Sequence, residues 1–238
     1  MLYRDQGVVL RSIKLGETDR IVSILARGHG KIRAVAKGVR KPGSRFGARL
    51  EPTTHLAFQC YRGRSDLDVV TQVETIDSNR ALREHYGCLT HAVSMLEATD
   101  QVAQDREPNV PLYRMLVGAL RTLAAEPSPL VSAAFFWKLL ALEGFHPLLD
   151  VCARCGNESD VFPAFDLLEG GVLCETCGSL VGRRLPPESL ALLRQILGGE
   201  LRNALAEPPG AATIDIERLA LAAIEHHIER RLRSGALL

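Results

Sequence analysis

Four cysteines fall into two C-x-x-C pairs, Cys152-Ala153-Arg154-Cys155 and Cys174-Glu175-Thr176-Cys177, with eighteen residues between them. Thiolates at this spacing suit a tetrahedral ion, and the separation lies within the range of a zinc ribbon. A glycine follows each pair, Gly156 and Gly178, where a positive φ would let the turn tighten and aim backbone N–H groups at sulfur. One Zn2+ is therefore expected on Cys152, Cys155, Cys174 and Cys177. Four thiolates close its coordination, so the ion has no open position for water and its role is structural. A redox dithiol is the rival reading, but one pair would suffice for it and no thioredoxin-like βαβ pattern flanks either. Residues 150–178 hold Asp150, Glu158, Asp160, Asp166, Glu169 and Glu175 against Arg154 alone. This module should repel phosphate and serve fold closure or protein contact.

A second cluster has the opposite sign. Arg27, Lys31, Arg33, Lys37, Arg40, Lys41, Arg45 and Arg49 occur with no Asp or Glu between positions 27 and 49. The formal net charge of +1 conceals this run. Residues 1–80 carry fifteen Lys and Arg against eight Asp and Glu, whereas residues 81–238 carry fourteen against twenty. A field of one sign on one part of a molecule captures polyanions, and nucleic acid is the first to consider. These eight residues are the expected DNA-binding set. Tyr61 and Phe46 are the nearby aromatics that could stack on bases, so recognition should rest on phosphate and show little sequence preference.

The elements that must position these groups follow from periodicity. Over residues 6–76, short runs of alternating apolar and polar residues bounded by Gly and Pro predict strands at about Gln6–Lys14, Asp19–Arg27, Lys31–Lys37, Thr54–Arg62 and Leu67–Ile76. Five strands in so short a segment suggest a small Greek-key barrel of the OB type. On the third strand Ile32, Ala34 and Ala36 take one face, which should pack, while Lys31, Arg33 and Lys37 take the other, which should present charge. Gly38 to Pro52, rich in Gly and Arg, reads as a mobile surface loop. From Ser78 the period becomes helical: Leu82, Tyr86, Leu89, Val93 and Leu96, then Leu112, Leu116, Leu120 and Leu123. Ser128-Pro129 fits the N-cap and N1 of a further helix to Leu142, and Pro187–Leu197 and Ile214–Arg233 continue the helical pattern. The fold class is α+β multidomain. An OB-type barrel over 1–78 precedes a helical domain over 79–149 and 181–238, into which a four-cysteine zinc ribbon over 150–180 is inserted.

Several activities lack their residues. Gly38-Val39-Arg40-Lys41-Pro42-Gly43-Ser44-Arg45 imitates a phosphate loop but has no Lys-Ser/Thr after the second glycine. There is no G-x-S-x-G, H-E-x-x-H or G-x-G-x-x-G. His226 and His227 point about 100° apart on a helix and do not share a ligand easily. Cys60 and Cys88 read as small buried hydrophobes, and Trp137 as core. A metal-dependent nuclease would need clustered carboxylates or an open metal position. No apolar run reaches the roughly 18–20 residues that span a bilayer, and the N-terminus has no signal-peptide pattern, so a cytoplasmic location is expected and no membrane partner.

With those residues in place, the chain resembles the RecO family of bacterial DNA repair and recombination mediators over nearly its whole length. The resemblance rests on Gly16-Glu17-Thr18-Asp19-Arg20, Ala36-Lys37-Gly38-Val39-Arg40-Lys41, Ser44-Arg45-Phe46, Leu50-Glu51-Pro52 and Gly63-Arg64-Ser65-Asp66-Leu67-Asp68. It continues through Leu139-Leu140-Ala141-Leu142-Glu143-Gly144-Phe145-His146-Pro147 and the four cysteines. It implies an OB-fold, a helical domain with an inserted zinc ribbon, and a non-enzymatic protein that binds single- and double-stranded DNA and anneals complementary strands. It also implies partnership with RecR and with single-strand-binding protein while RecA is loaded, in a cytoplasmic, nucleoid-associated setting. Some members of the family lack the metal cysteines, so zinc does not define the function. An RNA-binding OB-fold protein of translation or transcription, and a scaffold that binds only proteins, are the other readings of the residues.

Overall fold

A computed structural model describes residues 1–44, 46–63, 66–179 and 181–237. The first five strands, β1 (Leu2–Leu15), β2 (Asp19–Ala26), β3 (Gly30–Ala36), β4 (His55–Tyr61) and β5 (Asp68–Asp77), close into a barrel in the order β1-β2-β3-β5-β4. All neighbours are antiparallel except β3 and β5, which pair in parallel through Ala34 with Asp68 and Val35 with Val69. Alternation fills the barrel: Val22, Ile24, Ile32, Ala34, Leu56, Phe58, Cys60 and Val70 point inward and are buried.

β1 begins four residues earlier than the alternating pattern predicts. Its first half pairs with β4, from Leu2 with Tyr61 to Val8 with His55, and its second half pairs with β2. A bulge between Val9 and Arg11 lets one strand bend from one partner to the other. Gly7 sits at this transfer because an added Cβ would lie 2.5 Å from Ile24.

The Gly38 to Pro52 segment is more than a surface loop. Phe46 and the short 3-10 turn Gly47–Leu50 send Phe46 and Leu50 into the barrel core, where Val39 packs against it.

Beyond the barrel lie α1 (Arg80–Glu84), α2 (Tyr86–Val102) and α3 (Val110–Ala125). The Leu82 to Leu96 periodicity suggests one continuous amphipathic run. His85, in an extended conformation, breaks it, and Tyr86 is exposed while Cys88, Ala92, Met95 and Leu96 face inward. Both α2 and α3 pack on β1, which is why β1 buries four consecutive residues, Gly7 to Leu10, from both sides. The α2–α3 connection also completes the barrel wall. The Lys31 N–H donates to Gln104 O at 3.3 Å and the Arg106 N–H to Lys31 O at 2.9 Å, so the connection lies along β3 where β5 does not reach. Gly30, at φ +67°, admits this approach; a Cβ there would stand 2.2 Å from Glu107 O.

By its contacts the chain forms two compact units, Met1–Pro127 together with the segment from Leu232, and Ser128–Arg231. Helices α1–α3 thus belong with the barrel: the change of period near Ser78 marks where strand gives way to helix, and packing does not follow it. In the second unit α4 (Pro129–Leu142) is apolar all round and lies against α6 (Pro187–Leu197), α7 (Leu201–Leu205) and α8 (Ala211–His227). Between α4 and α6 comes a three-stranded sheet ordered β7-β6-β8, made of β6 (Ala164–Asp166), β7 (Gly171–Leu173) and β8 (Arg183–Arg184), with the single turn α5 (Glu175–Gly178). Phe165 of β6 meets Trp137 of α4 edge to face at 5.8 Å, and Arg194 of α6 donates to Leu149 O at 2.6 Å. These contacts fasten the sheet to the helices. Among the described residues no helix is long and apolar enough to cross a membrane.

Candidate metal centre and nucleic-acid interface

The two cysteine pairs are brought together. All four sulfurs lie within 4.8 Å of one another, and Cys155 Sγ is 3.8 Å from Cys174 Sγ. Four sulfurs each about 2.3 Å from one zinc are separated by about 3.8 Å along a tetrahedral edge, a spacing that Cys155 and Cys174 already have, so the donor set suits that ion. Each pair sits on a tight backbone turn: Gly156 N–H donates to Cys152 O at 2.8 Å, and Gly178 N–H to Cys174 O at 2.7 Å. The two glycines are there for different reasons. Gly156 has φ +72° as the turn requires, whereas Gly178 ends α5, where a Cβ would approach Ala164 Cβ to 3.1 Å.

The thiols do not share an environment. Burial raises the Cys152 pKa, but backbone N–H groups of Cys174, Cys155 and Arg154 lower it further, to about 6. Burial, together with hydrogen bonds to the neighbouring sulfurs, pushes Cys177 up to about 12. The Cys152 thiolate forms readily while that of Cys177 is opposed by burial and by its neighbours, a cost that a divalent cation removes. Arg154 of this module is held by Glu169 at 2.9 Å, so the acidic surroundings read from the sequence stand without a spare cation on that residue.

The eight bases of residues 27–49 do not form one patch. Lys31 is turned inward: its Nζ donates to Asp100 O at 2.7 Å and lies 3.5 Å from an Asp105 carboxylate, with 15% of the side chain exposed. It fastens α2 to β3. Arg27 lies at the far end of β2, in a cleft with Arg4 and Gln59. Arg33 is exposed in the middle of β3. Lys37, Arg40 and Lys41 are exposed where the loop leaves β3, beside the β1–β2 turn. There Arg40 donates to Glu17 O at 2.8 Å, and Asp19 receives Gly38 N–H at 2.8 Å and the Thr18 hydroxyl at 2.8 Å. The Gly38 N–H and Thr18 hydroxyl, aided by Lys37 and Lys41, hold the Asp19 carboxyl below its usual range, which keeps the loop base pinned. Arg49 is exposed on its 3-10 turn. Arg45 lies outside the described residues, as do Arg64, Ser65, Leu180 and Leu238. Phe46, a stacking candidate by sequence, is in the core, while Tyr61 is 51% exposed.

Register adds a residue that linear order hides. Arg11 pairs with Ser23, and Ser23 with Arg33, so Arg11 and Arg33 flank one serine on the outer face of β1-β2-β3. They line one cleft with Ile13, Ile21 and the Lys31, Asp100 and Asp105 cluster. Arg11 stands sixteen positions before the acid-free run, and its place beside Arg33 follows only from the strand pairing.

Comparison with known proteins gives a consistent result. The profile of the N-terminal domain of recombination protein O matches residues 1–79, and that of its C-terminal domain matches residues 83–236. A protein of Nocardioides sp. named DNA repair protein RecO is 42% identical over 243 residues, which cover 99% of this chain and 98% of that protein. From barrel to four-cysteine cluster, the chain belongs to the RecO family.

Proposed function

We propose that this protein is a non-enzymatic mediator of DNA repair that binds single- and double-stranded DNA through its barrel and anneals complementary strands. The observation that carries the reading is the acid-free basic run. Arg33, Lys37, Arg40, Lys41 and Arg49 stand exposed on β3 and the segment after it, on a closed barrel of a RecO-family chain. Phosphates on such a face release their counterions, and two strands screened together can approach and pair. Arg11 joins Arg33 as a phosphate contact, whereas Lys31 acts by holding β3 against α2. The four cysteines hold one Zn2+, which supplies structure, with Cys152 and Cys174 on its buried side and Cys155 on its exposed side. RecR and single-strand-binding protein are the proposed protein partners in loading RecA, in the cytoplasm and at the nucleoid.

The test is a titration of labelled single-stranded DNA at several salt concentrations, with wild type and an Arg33→Ala/Lys37→Ala/Lys41→Ala variant whose folding is checked by circular dichroism. The variant should bind more weakly, with the slope of log K against log salt shallower by about 2, since each single-strand phosphate contact contributes about 0.7. Equal affinity and equal slope would remove these residues from the site. Tighter binding of structured RNA than of DNA of equal length would favour the RNA-binding alternative.

A further inference from the structure

Annealing requires that a second strand be held while the first is bound, and the second unit carries a basic site of its own. Arg183 and Arg184 form β8, and with Arg218 of α8 they line a cleft of about 140 Å³ whose other walls are Leu185, Asp215 and Leu219. All three guanidinium side chains belong to exposed residues, and among the described residues no ion pair or hydrogen bond engages the side chains of Arg183 and Arg184. The charge sits on a hydrogen-bonded support. β8 pairs with β6 through Arg184 with Ala164 and Arg183 with Phe165, and Leu185 N–H closes on Pro163 O at 2.8 Å. Gly182 at φ +100° leads into the strand, and Pro186-Pro187 leads out of it into α6. The acid that lines the cleft is partly engaged, because Asp215 Oδ2 accepts the Ser189 hydroxyl at 3.0 Å.

We propose that this cleft is a second phosphate site, which takes the sugar-phosphate backbone of a second DNA strand. The proposal rests on the DNA-binding reading above. Guanidinium forks match phosphate oxygens two at a time. An acidic protein partner would ordinarily bring apolar area to the centre of its contact, but the apolar walls here, Leu185 and Leu219, are already buried. Phosphate needs none. The site is absent from the acid-free run because its arginines come from a strand and a helix more than thirty residues apart, in a half of the chain whose net charge is negative, and the β8 arginines lie beyond the acidic stretch 150–178 from which phosphate should be repelled.

The test uses the full chain and an Arg183→Ala/Arg184→Ala/Arg218→Ala variant. Two quantities are read at fixed salt: affinity for one labelled strand, and capture of a second, non-complementary labelled strand by protein already saturated with the first. First-strand affinity should stay within about twofold, while second-strand capture and the rate of annealing fall about tenfold or more. An Arg183→Lys/Arg184→Lys/Arg218→Lys variant, which keeps the charge but loses the fork, should retain part of the capture, and circular dichroism of both variants excludes misfolding as the cause. Unchanged capture in the alanine variant overturns the site. A parallel loss of first-strand affinity overturns it as a separate site, and binding of polyglutamate that the alanine variant loses while keeping second-strand capture reassigns it to acidic protein. Wild type that binds no DNA at all would instead sink the mediator reading, a result read from the first measurement alone.

Discussion

Asp68 illustrates how much of the first unit depends on one side chain. It is fully buried at the start of β5, accepts from Arg106 Nη2 at 3.1 Å and from the Tyr3 hydroxyl, and so ties β1, β5 and the α2–α3 connection to one carboxylate. Arg106 adopts φ +62° to make the contact. Removing one partner of a buried pair leaves the other uncompensated. Asp68→Asn should therefore lower stability by about 2–4 kcal/mol, the upper range being reduced because the Arg106 side chain keeps 29% of its exposure. Tyr3→Phe should cost about 1 kcal/mol. Urea midpoints with unchanged slopes check both. At this scale the sequence was informative about type and silent about engagement. Eight bases without an acid were legible, yet that Lys31 is spent on Asp100 and Asp105, or that Arg11 adjoins Arg33, depends on partners 69, 74 and 22 positions away.

At the scale of elements, strands and helices were readable wherever one face was buried. The five strands follow from alternation, and the cysteine spacing anticipates the two turns that the fold brings into one cluster. What alternation could not supply was the stretch of β1 before Gln6, whose pairing is set by β4, or the inward turn of Phe46 and Leu50, whose loop reads as polar. The ribbon's secondary structure is minimal, with strands of two and three residues, so its order should depend on the ion. On the proposed zinc site, Cys155→Ala or Cys177→Ala should reduce bound metal from about one per chain to near zero and raise hydrogen exchange across β6, β7 and β8. Affinity for a first DNA strand should stay within about twofold, because the barrel bases lie in the other unit. A fall in first-strand affinity as large as the loss of metal would contradict that separation.

For the whole molecule, the path of the chain matters as much as its contacts. The first unit is left at Pro127 and re-entered at Leu232. The return is secured by Glu97 of α2, whose carboxylate accepts Arg233 N–H at 3.0 Å, Ser234 N–H at 3.0 Å and the Ser234 hydroxyl at 2.7 Å. Burial raises the Glu97 pKa, but these hydrogen bonds, with the Arg233 charge, outweigh it and leave it below its usual value. A carboxyl depressed in the folded state adds stability that is complete above the ordinary value near 4.5 and is lost as pH falls through the lower folded value. Exchange of the amides at 233 and 234, corrected for its intrinsic pH dependence, should rise over that acid range. Glu97→Gln should produce the same loosening at neutral pH, by about 1–3 kcal/mol. Equal protection in wild type and variant would show that the segment is held by other means. The same path sets a timetable during synthesis. When Ser234 leaves the ribosome, every residue of the second unit has already emerged, whereas the first unit, begun earlier, still waits for its closing segment. The unit made first is the last to be finished, and a nascent chain carries its barrel unlatched until the segment from Leu232 has emerged.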